Sequence, residues 1–315
     1  MTESASAQPR ESLPLDSTAQ LLTRITAQLG TQLSHVSLNG TRRPPMHRTI
    51  RPAPGTATTT APALVAVAHG SRDPQALRTV VKLLDRVREL RPGLDVRLGH
   101  IELNEPLLPS TLTGLGSGDA VLVPLLLGRG HHVKHDIPAA AAAAPALRTT
   151  IAAPLGPHPL LVEALYERLL EAGRPTEETA SGSSAVILAA AGSRDPDSAA
   201  DTRRTARMLS ERLGGVPVVP AYASAADPTV SAAARALAAR GRHRIAVASY
   251  FTAPGRFATA AAAAAPGIAA APLGAHPAMA RLILHRYDRA LAGQARSGAR
   301  ETHESAVNGA LLTSA

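Results

Sequence analysis

The stretch Ala63-Leu-Val-Ala-Val-Ala-His-Gly-Ser-Arg-Asp-Pro74 joins a short apolar run to a histidine and then to a helix-start signal. Its first six residues have the length and composition of a buried parallel strand. Asp73 and Pro74 are typical of an N-cap and of a first helical residue. We therefore place His69 at the carboxyl end of a strand, the edge at which open parallel sheets bind ligands.

Strand and helix patterns alternate from this stretch to residue 173. The spacing of Leu77, Val80, Leu84 and Val87 predicts a helix that ends before Pro92-Gly93. Further strands are predicted over residues 95–103, 120–127 and 149–155, and further helices over 106–115, 133–144 and 158–172. This alternation predicts a parallel sheet with helices on both faces.

The second part of the chain repeats this unit. The motif GSRDP occurs at residues 70–74 and again at 192–196, and APLG followed by a His-Pro pair occurs at 153–159 and at 271–277. The repeat predicts an α/β protein of two duplicated three-layer αβα lobes, each with a mostly parallel four-stranded sheet, and an active site in the cleft between them. The predicted segments are a disordered extension (1–60), an N-terminal lobe (61–173), a linker (174–184), a C-terminal lobe (185–292) and a flexible tail (293–315).

Composition excludes several classes of function. Aromatic residues make up 2% of the 315 residues and Trp is absent, which disfavours a stacking platform for single-stranded nucleic acid. The absence of Cys leaves only nitrogen and oxygen ligands for a metal ion. The net charge of +9 comes from scattered arginines rather than one basic stripe. With no apolar run long enough to cross a membrane, we expect a soluble, cytoplasmic monomer with no nucleic-acid or membrane partner.

Comparison of the two halves separates scaffold from chemistry, because a position kept in both halves is expected to serve the fold. The SRDP turn and the histidines of the two His-Pro pairs, His158 and His276, are kept, and we expect these histidines to cap or pack. Three metal-ligating positions occur only in the first half: His69, Glu102 and His132 align with Ala191, Ser224 and Phe257. Two imidazoles and one carboxylate suit a divalent Fe, Co, Ni or Zn ion. His131 is the alternative ligand, and we expect His100 and His135 to be surface or supporting groups.

These motifs together resemble the class II tetrapyrrole chelatases, in particular the two-lobed form of the sirohydrochlorin cobaltochelatases and ferrochelatases. The resemblance covers residues 63–292 and rests on the motifs HGSRDP (69–74), IE (101–102), VPLLLGRGHHVKHDIP (123–138) and LGPHP (155–159). It implies that His69, His132 and Glu102 bind the incoming ion and act in catalysis, with His132 rather than His131 as the second histidine. It also implies insertion of Fe²⁺ or Co²⁺ into metal-free sirohydrochlorin, with no cofactor beyond the metal substrate.

A substrate with peripheral carboxylates requires cationic walls, and such walls are predicted in the loops at the crevice edge. The predicted substrate-binding residues are Arg72, Arg129, Arg194, Arg256 and Phe257. Arg72 and Arg194 have an alternative role, which is to brace their own turns. Since the second half lacks the ligand residues, we expect one metal site per chain. A non-catalytic metal or tetrapyrrole carrier is the alternative function, because it would use the same ligands without turnover.

Overall fold

The computed structural model describes residues 61–175 and 182–312, with side chains as far as Arg296. The predicted N-terminal extension, residues 176–181 of the predicted linker and residues 313–315 of the predicted tail lie outside the described residues. The first half contains β1 (Ala63–Ala68), α1 (Pro74–Leu90), β2 (Val96–His100), α2 (Leu108–Leu115), β3 (Gly118–Pro124), a π turn (His132–Asp136), α3 (Ile137–Ala142), β4 (Leu147–Ile151) and α4 (Pro159–Glu171).

The first half forms a four-stranded parallel sheet in the order β2-β1-β3-β4, as the sequence predicts. Strand β1 is buried from Leu64 to Ala68, and the Asp73 carboxylate accepts a hydrogen bond from Gln75 N as the N-cap of α1. His69 therefore follows a central strand at the carboxyl edge of the sheet, where the sequence places it. Helix α1 buries Val80, Leu84 and Val87 but leaves Val81 largely exposed.

The second half contains β5 (Ser184–Ala190), α5 (Pro196–Arg212), β6 (Val218–Tyr222), α6 (Val230–Ala238), β7 (Arg244–Tyr250), α7 (Arg256–Ala263) and α8 (Pro277–Leu312). Its sheet has three parallel strands in the order β6-β5-β7, so the prediction of four strands is wrong for this half. The position of the fourth strand is reduced to one parallel bridge between Val247 and Ala269. Pro266 and Gly267 precede an Ala-rich run there, whereas β4 reads LRTTI, and these residue types support a strand poorly.

The turn after the first strand is the same in both halves. Gly70 and Gly192 have φ angles of +103° and +93°, and a Cβ atom on either would lie 1.8 Å from a backbone carbonyl oxygen, that of Glu102 or of Ser224. Ser71 Oγ and Ser193 Oγ each accept a hydrogen bond, at 3.1 Å, from the backbone N–H two residues later. The prediction that the repeated SRDP turn is structural is therefore confirmed, since it closes by the same contacts twice.

The last helix of each half packs against the other half. Helix α4 contacts α5 and β7, whereas α8 contacts α1, β3 and β4. The two helices have thus exchanged places, and two equivalent arginines hold them there. Arg168 of α4 donates to Leu273 O, and Arg286 of α8 donates to Leu155 O. One core cluster consequently includes buried residues from both sheets and from α8. The sequence halves are therefore not separate packing units.

Helix α8 continues to Leu312, so the backbone of residues 293–312, in the predicted tail, is helical. The predicted tail is polar, but Ala, which favours helix, makes up five of its 23 residues. Among the helices of the described ranges, none is both long and apolar enough to span a bilayer.

Replacing Gly192 with Ala should destabilise the fold, because the added Cβ meets the Ser224 carbonyl and the positive φ alone costs about 1–3 kcal/mol. Urea denaturation measures the loss. The matched control is Gly114→Ala in α2, where nothing lies within 4 Å of the new Cβ and up to about 1 kcal/mol should be gained. Equal stability of the two variants would contradict the turn assignment.

A second prediction concerns the pH dependence of stability. Desolvation by burial, together with the positive charges of Arg286 and His285, lowers the pKa of His158 from 6.5 to about 4. Between these values the unfolded chain binds the proton and the folded chain does not, so this histidine makes stability fall as the pH falls from about 6.5 to about 4. His158→Asn keeps an N-cap acceptor and should flatten that slope in urea titrations across the window. An unchanged slope would contradict the assignment.

Candidate metal centre

The three predicted ligands come from the loops that follow three adjacent strands. His69 follows β1, Glu102 lies two residues beyond β2, and His132 begins the π turn after β3. The backbone holds the first two together, because Glu102 N donates to His69 O at 3.0 Å. Parallel strands end at one edge of the sheet, and so their loops meet there.

The structure places the side chains of this trio side by side. His69 Nδ1 lies 3.5 Å from Glu102 Oε1, and the rings of His69 and His132 meet edge to face with centroids 4.7 Å apart. The side chains of His69, Glu102 and His132 are 45%, 51% and 34% exposed, so an ion can reach all three from solvent. Within the described ranges, no three His, Asp or Glu side chains form a ready coordination sphere. The trio is thus a set of neighbours around His69 rather than a closed cage.

Asp136 fixes the orientation of His132. The π turn places the two side chains four residues apart on the same side, and His132 Nδ1 lies 2.5 Å from Asp136 Oδ2. Since a carboxylate can only accept, Nδ1 carries the proton and Nε2 keeps a free lone pair. Asp136 was not among the site residues predicted from the sequence. Its spacing of four residues from His132 in a predicted helix was the available signal.

The other histidines occupy different environments. His131 is 72% exposed and lies 3.7 Å from the second oxygen of Asp136, and its ring is 6.3 Å from that of His132. The exposed His135 ring lies beside His131, with 4.7 Å between centroids. His100 is buried, with Nδ1 3.2 Å from Pro106 O, and desolvation lowers its pKa. His100 is therefore not a surface group, because it packs inside the first half, and its supporting role stays a prediction.

The histidines of the two His-Pro pairs are caps, as predicted. His158 Nδ1 and His276 Nδ1 each accept a backbone hydrogen bond, at 3.2 Å, from Leu160 N and Ala278 N respectively. His276 is also paired with Glu167 across the two halves at 2.9 Å.

The second half has no equivalent of the His69–Glu102 pair. At the aligned positions, Ser224 Oγ donates to Ala191 O at 3.1 Å, and so the same two loops are joined without a metal-ligating group. This contact confirms the alignment of the two halves at these positions.

The predicted substrate-binding arginines differ in their surroundings. Arg72 and Arg194 are exposed and have no ion-pair partner within the ranges that the structure describes. Arg256 stacks over the Phe257 ring, 4.8 Å from its centroid. Arg129 instead forms a bidentate contact with Asp201, which leaves its guanidinium less available to a substrate than the sequence suggested.

Comparison with known proteins identifies relatives for both halves. The CbiX family model matches residues 63–172 and 185–290, more than half of the chain. A sirohydrochlorin ferrochelatase of Bacillus subtilis is 30% identical over 173 residues, covering 53% of this chain and 64% of the relative. A sirohydrochlorin cobaltochelatase of Priestia megaterium is 26% identical over 193 residues, covering 59% of this chain and 62% of the relative. The chain thus spans less than two thirds of the length of these curated relatives.

Solved structures agree in fold. SirB from Bacillus subtilis with Fe³⁺ superposes with a TM-score of 0.58 at 24% identity, covering 72% of this chain and 94% of SirB. A CbiX described as the terminal enzyme for siroheme biosynthesis in denitrifying bacteria gives a TM-score of 0.54 at 23% identity, covering 71% and 98%. At this identity the likeness concerns the fold alone, but the family match covers both repeats. The chain therefore belongs to the CbiX family, with one family unit in each half.

Proposed function

We propose that this chain inserts a divalent iron or cobalt ion into sirohydrochlorin. The observation that carries the proposal is the contact of His69 with both Glu102 and His132 at the carboxyl edge of the first sheet. Curated relatives named sirohydrochlorin ferrochelatase and cobaltochelatase support it.

The imidazoles are suited to hold the ion before transfer. Asp136 keeps the proton of His132 on Nδ1, so that Nε2 is free as a ligand. Two imidazoles and a carboxylate leave positions open for the nitrogen atoms of a macrocycle. An exposed site of few ligands releases its ion more easily than a closed one, as insertion requires.

Insertion also requires removal of two pyrrole protons from the macrocycle. An imidazole that has released the ion can accept a pyrrole proton, and Glu102 Oε1, 3.5 Å from His69 Nδ1, lies close enough to take that proton on. His69 and Glu102 together form a base with access to solvent, through which the protons leave.

Exposed cations and one aromatic ring are available for the macrocycle. Arg72, Arg194 and Arg256 can pair with peripheral carboxylates, and Phe257 offers an apolar surface to a ring face. The loops that bear them meet across the halves, since a Cβ on Gly255 would lie 3.6 Å from Ser71 Oγ.

The first test replaces His69 with Ala, which should lower the rate of metal insertion into sirohydrochlorin by about 10²-fold or more. Rates are measured anaerobically with Fe²⁺ and with Co²⁺, and the faster ion identifies the preferred substrate. The control is His135→Ala, which removes an exposed imidazole from the π turn and should leave the rate unchanged. Co²⁺ binding by the unaltered chain without any insertion would support the carrier instead.

The second test replaces Asp136 with Asn. Loss of the charged acceptor should weaken Co²⁺ binding about 10–100-fold, because the tautomer and orientation of His132 are no longer fixed. Isothermal titration calorimetry measures the affinity. An affinity equal to that of the unaltered chain would contradict the orienting role.

A further inference from the structure

The loop that carries His132 is held by the second half of the chain. We call residues 125–134 the metal loop; it follows β3 and includes the first three residues of the π turn. Two of its backbone carbonyls are fixed from β7 and the residues that follow it: Tyr250 OH donates to Leu127 O at 2.8 Å, and Thr252 Oγ1 donates to Leu125 O at 3.0 Å. Burial raises the pKa of Tyr250, which keeps the phenol protonated as a donor.

Carboxylates of α5 and its N-cap hold the far end of the same loop. Asp201, 6% exposed, accepts hydrogen bonds from Arg129 N at 2.9 Å, from Nε at 3.0 Å and from Nη2 at 2.7 Å. Lys134 donates from Nζ to Asp195 at 2.9 Å and to Asp197 at 2.8 Å. Desolvation would raise the pKa of Asp201, but the hydrogen bonds from Arg129 outweigh it and keep the pKa below its usual value.

These ionic contacts have no counterpart on the other side of the repeat. Counted from the shared turn, Asp197 and Asp201 align with Gln75 and Thr79 of the first half, neither of which carries a charge. In the second half, the residues that align with Arg129 and Lys134 are Pro254 and Thr259. Both partners of the Arg129–Asp201 and Lys134–Asp197 pairs are therefore specific to one side, whereas Asp195 aligns with Asp73 of the first half.

This asymmetry is opposite to that of the metal ligands. The half that lacks the ligands supplies the carboxylates, and the loop that they hold is the loop with His132. If these ion pairs served only the fold, we would not expect them to link the half without metal ligands to the loop that carries His132. Arg129 and Lys134 stand three residues before and two residues after His132, and so they bracket it.

We propose that the second half positions the metal loop through Asp201, with Asp195 and Asp197, so that His132 faces His69. This inference rests on the proposed function. Asp201 is a positioning residue, since it acts through Arg129 and contacts neither ligand. Loop segments open locally at low cost, and a buried carboxylate that binds both the backbone and the side chain of Arg129 opposes that opening.

The test compares Asp201→Asn with Asp288→Asn. Asparagine at position 201 keeps the shape but loses the charge that holds Arg129, and Co²⁺ should bind about tenfold more weakly. The KM for Co²⁺ in the insertion assay should rise by a similar factor, with kcat at saturating Co²⁺ within about twofold. Asp288 forms a bidentate ion pair with Arg91 between α8 and α1. Its replacement should lower the thermal midpoint while leaving the Co²⁺ affinity unchanged.

The outcomes separate this inference from the proposed function. Co²⁺ affinity within twofold of the unaltered chain in Asp201→Asn, or an equal loss in Asp288→Asn, would overturn the positioning role. Failure of the unaltered chain to bind Co²⁺ would instead overturn the metal centre itself. If Asp201→Asn does not fold, Lys134→Gln at a partly exposed position removes the second set of ion pairs, and weaker Co²⁺ binding at an unchanged thermal midpoint is expected.

Discussion

The exchange of terminal helices between the halves is the constraint on which the rest of this structure depends. Each sheet has a face that needs a helix to cover it, and the helix that does so comes from the other half. Burial of α8 residues such as Met279 and Ile283 among residues of both sheets makes a single core. Because the halves cannot separate without exposing that core, the loops at the two sheet edges are held at a constant distance. The metal centre lies in those loops.

Much of this arrangement could be predicted from the sequence. The apolar run before His69, the capping by Asp73 and the repeated turn all rest on local residue preferences, and the structure confirms them. Alternation of strands and helices was enough to bring His69, Glu102 and His132 to one edge, because parallel strands leave no other arrangement. The family resemblance then chose His132 over His131, a choice that stays a prediction.

The features that sequence reasoning missed depend on packing between distant segments. Nothing around Asp201 indicates that its partner is Arg129, and no local pattern shows that α4 and α8 change places. The missing fourth strand of the second half is a different case. Pro266 and the alanines beside it indicate a poor strand, but the similarity of the two halves led to the prediction of a fourth strand there. Duplication predicts the same number of strands in both halves. In the second half, however, the residues at the position of the fourth strand form strands poorly, and that strand is absent from the sheet.

The exchanged helices give the molecule the architecture of a domain-swapped dimer whose two protomers have been joined into one chain. In a swapped dimer of identical protomers, every substitution appears at both symmetric positions, so a ligand lost from one site is lost from the other. Covalent fusion removes that restriction. The first half can keep the metal-ligating imidazoles while the second half replaces them and acquires carboxylates such as Asp201. Each such change then affects only one of the two halves.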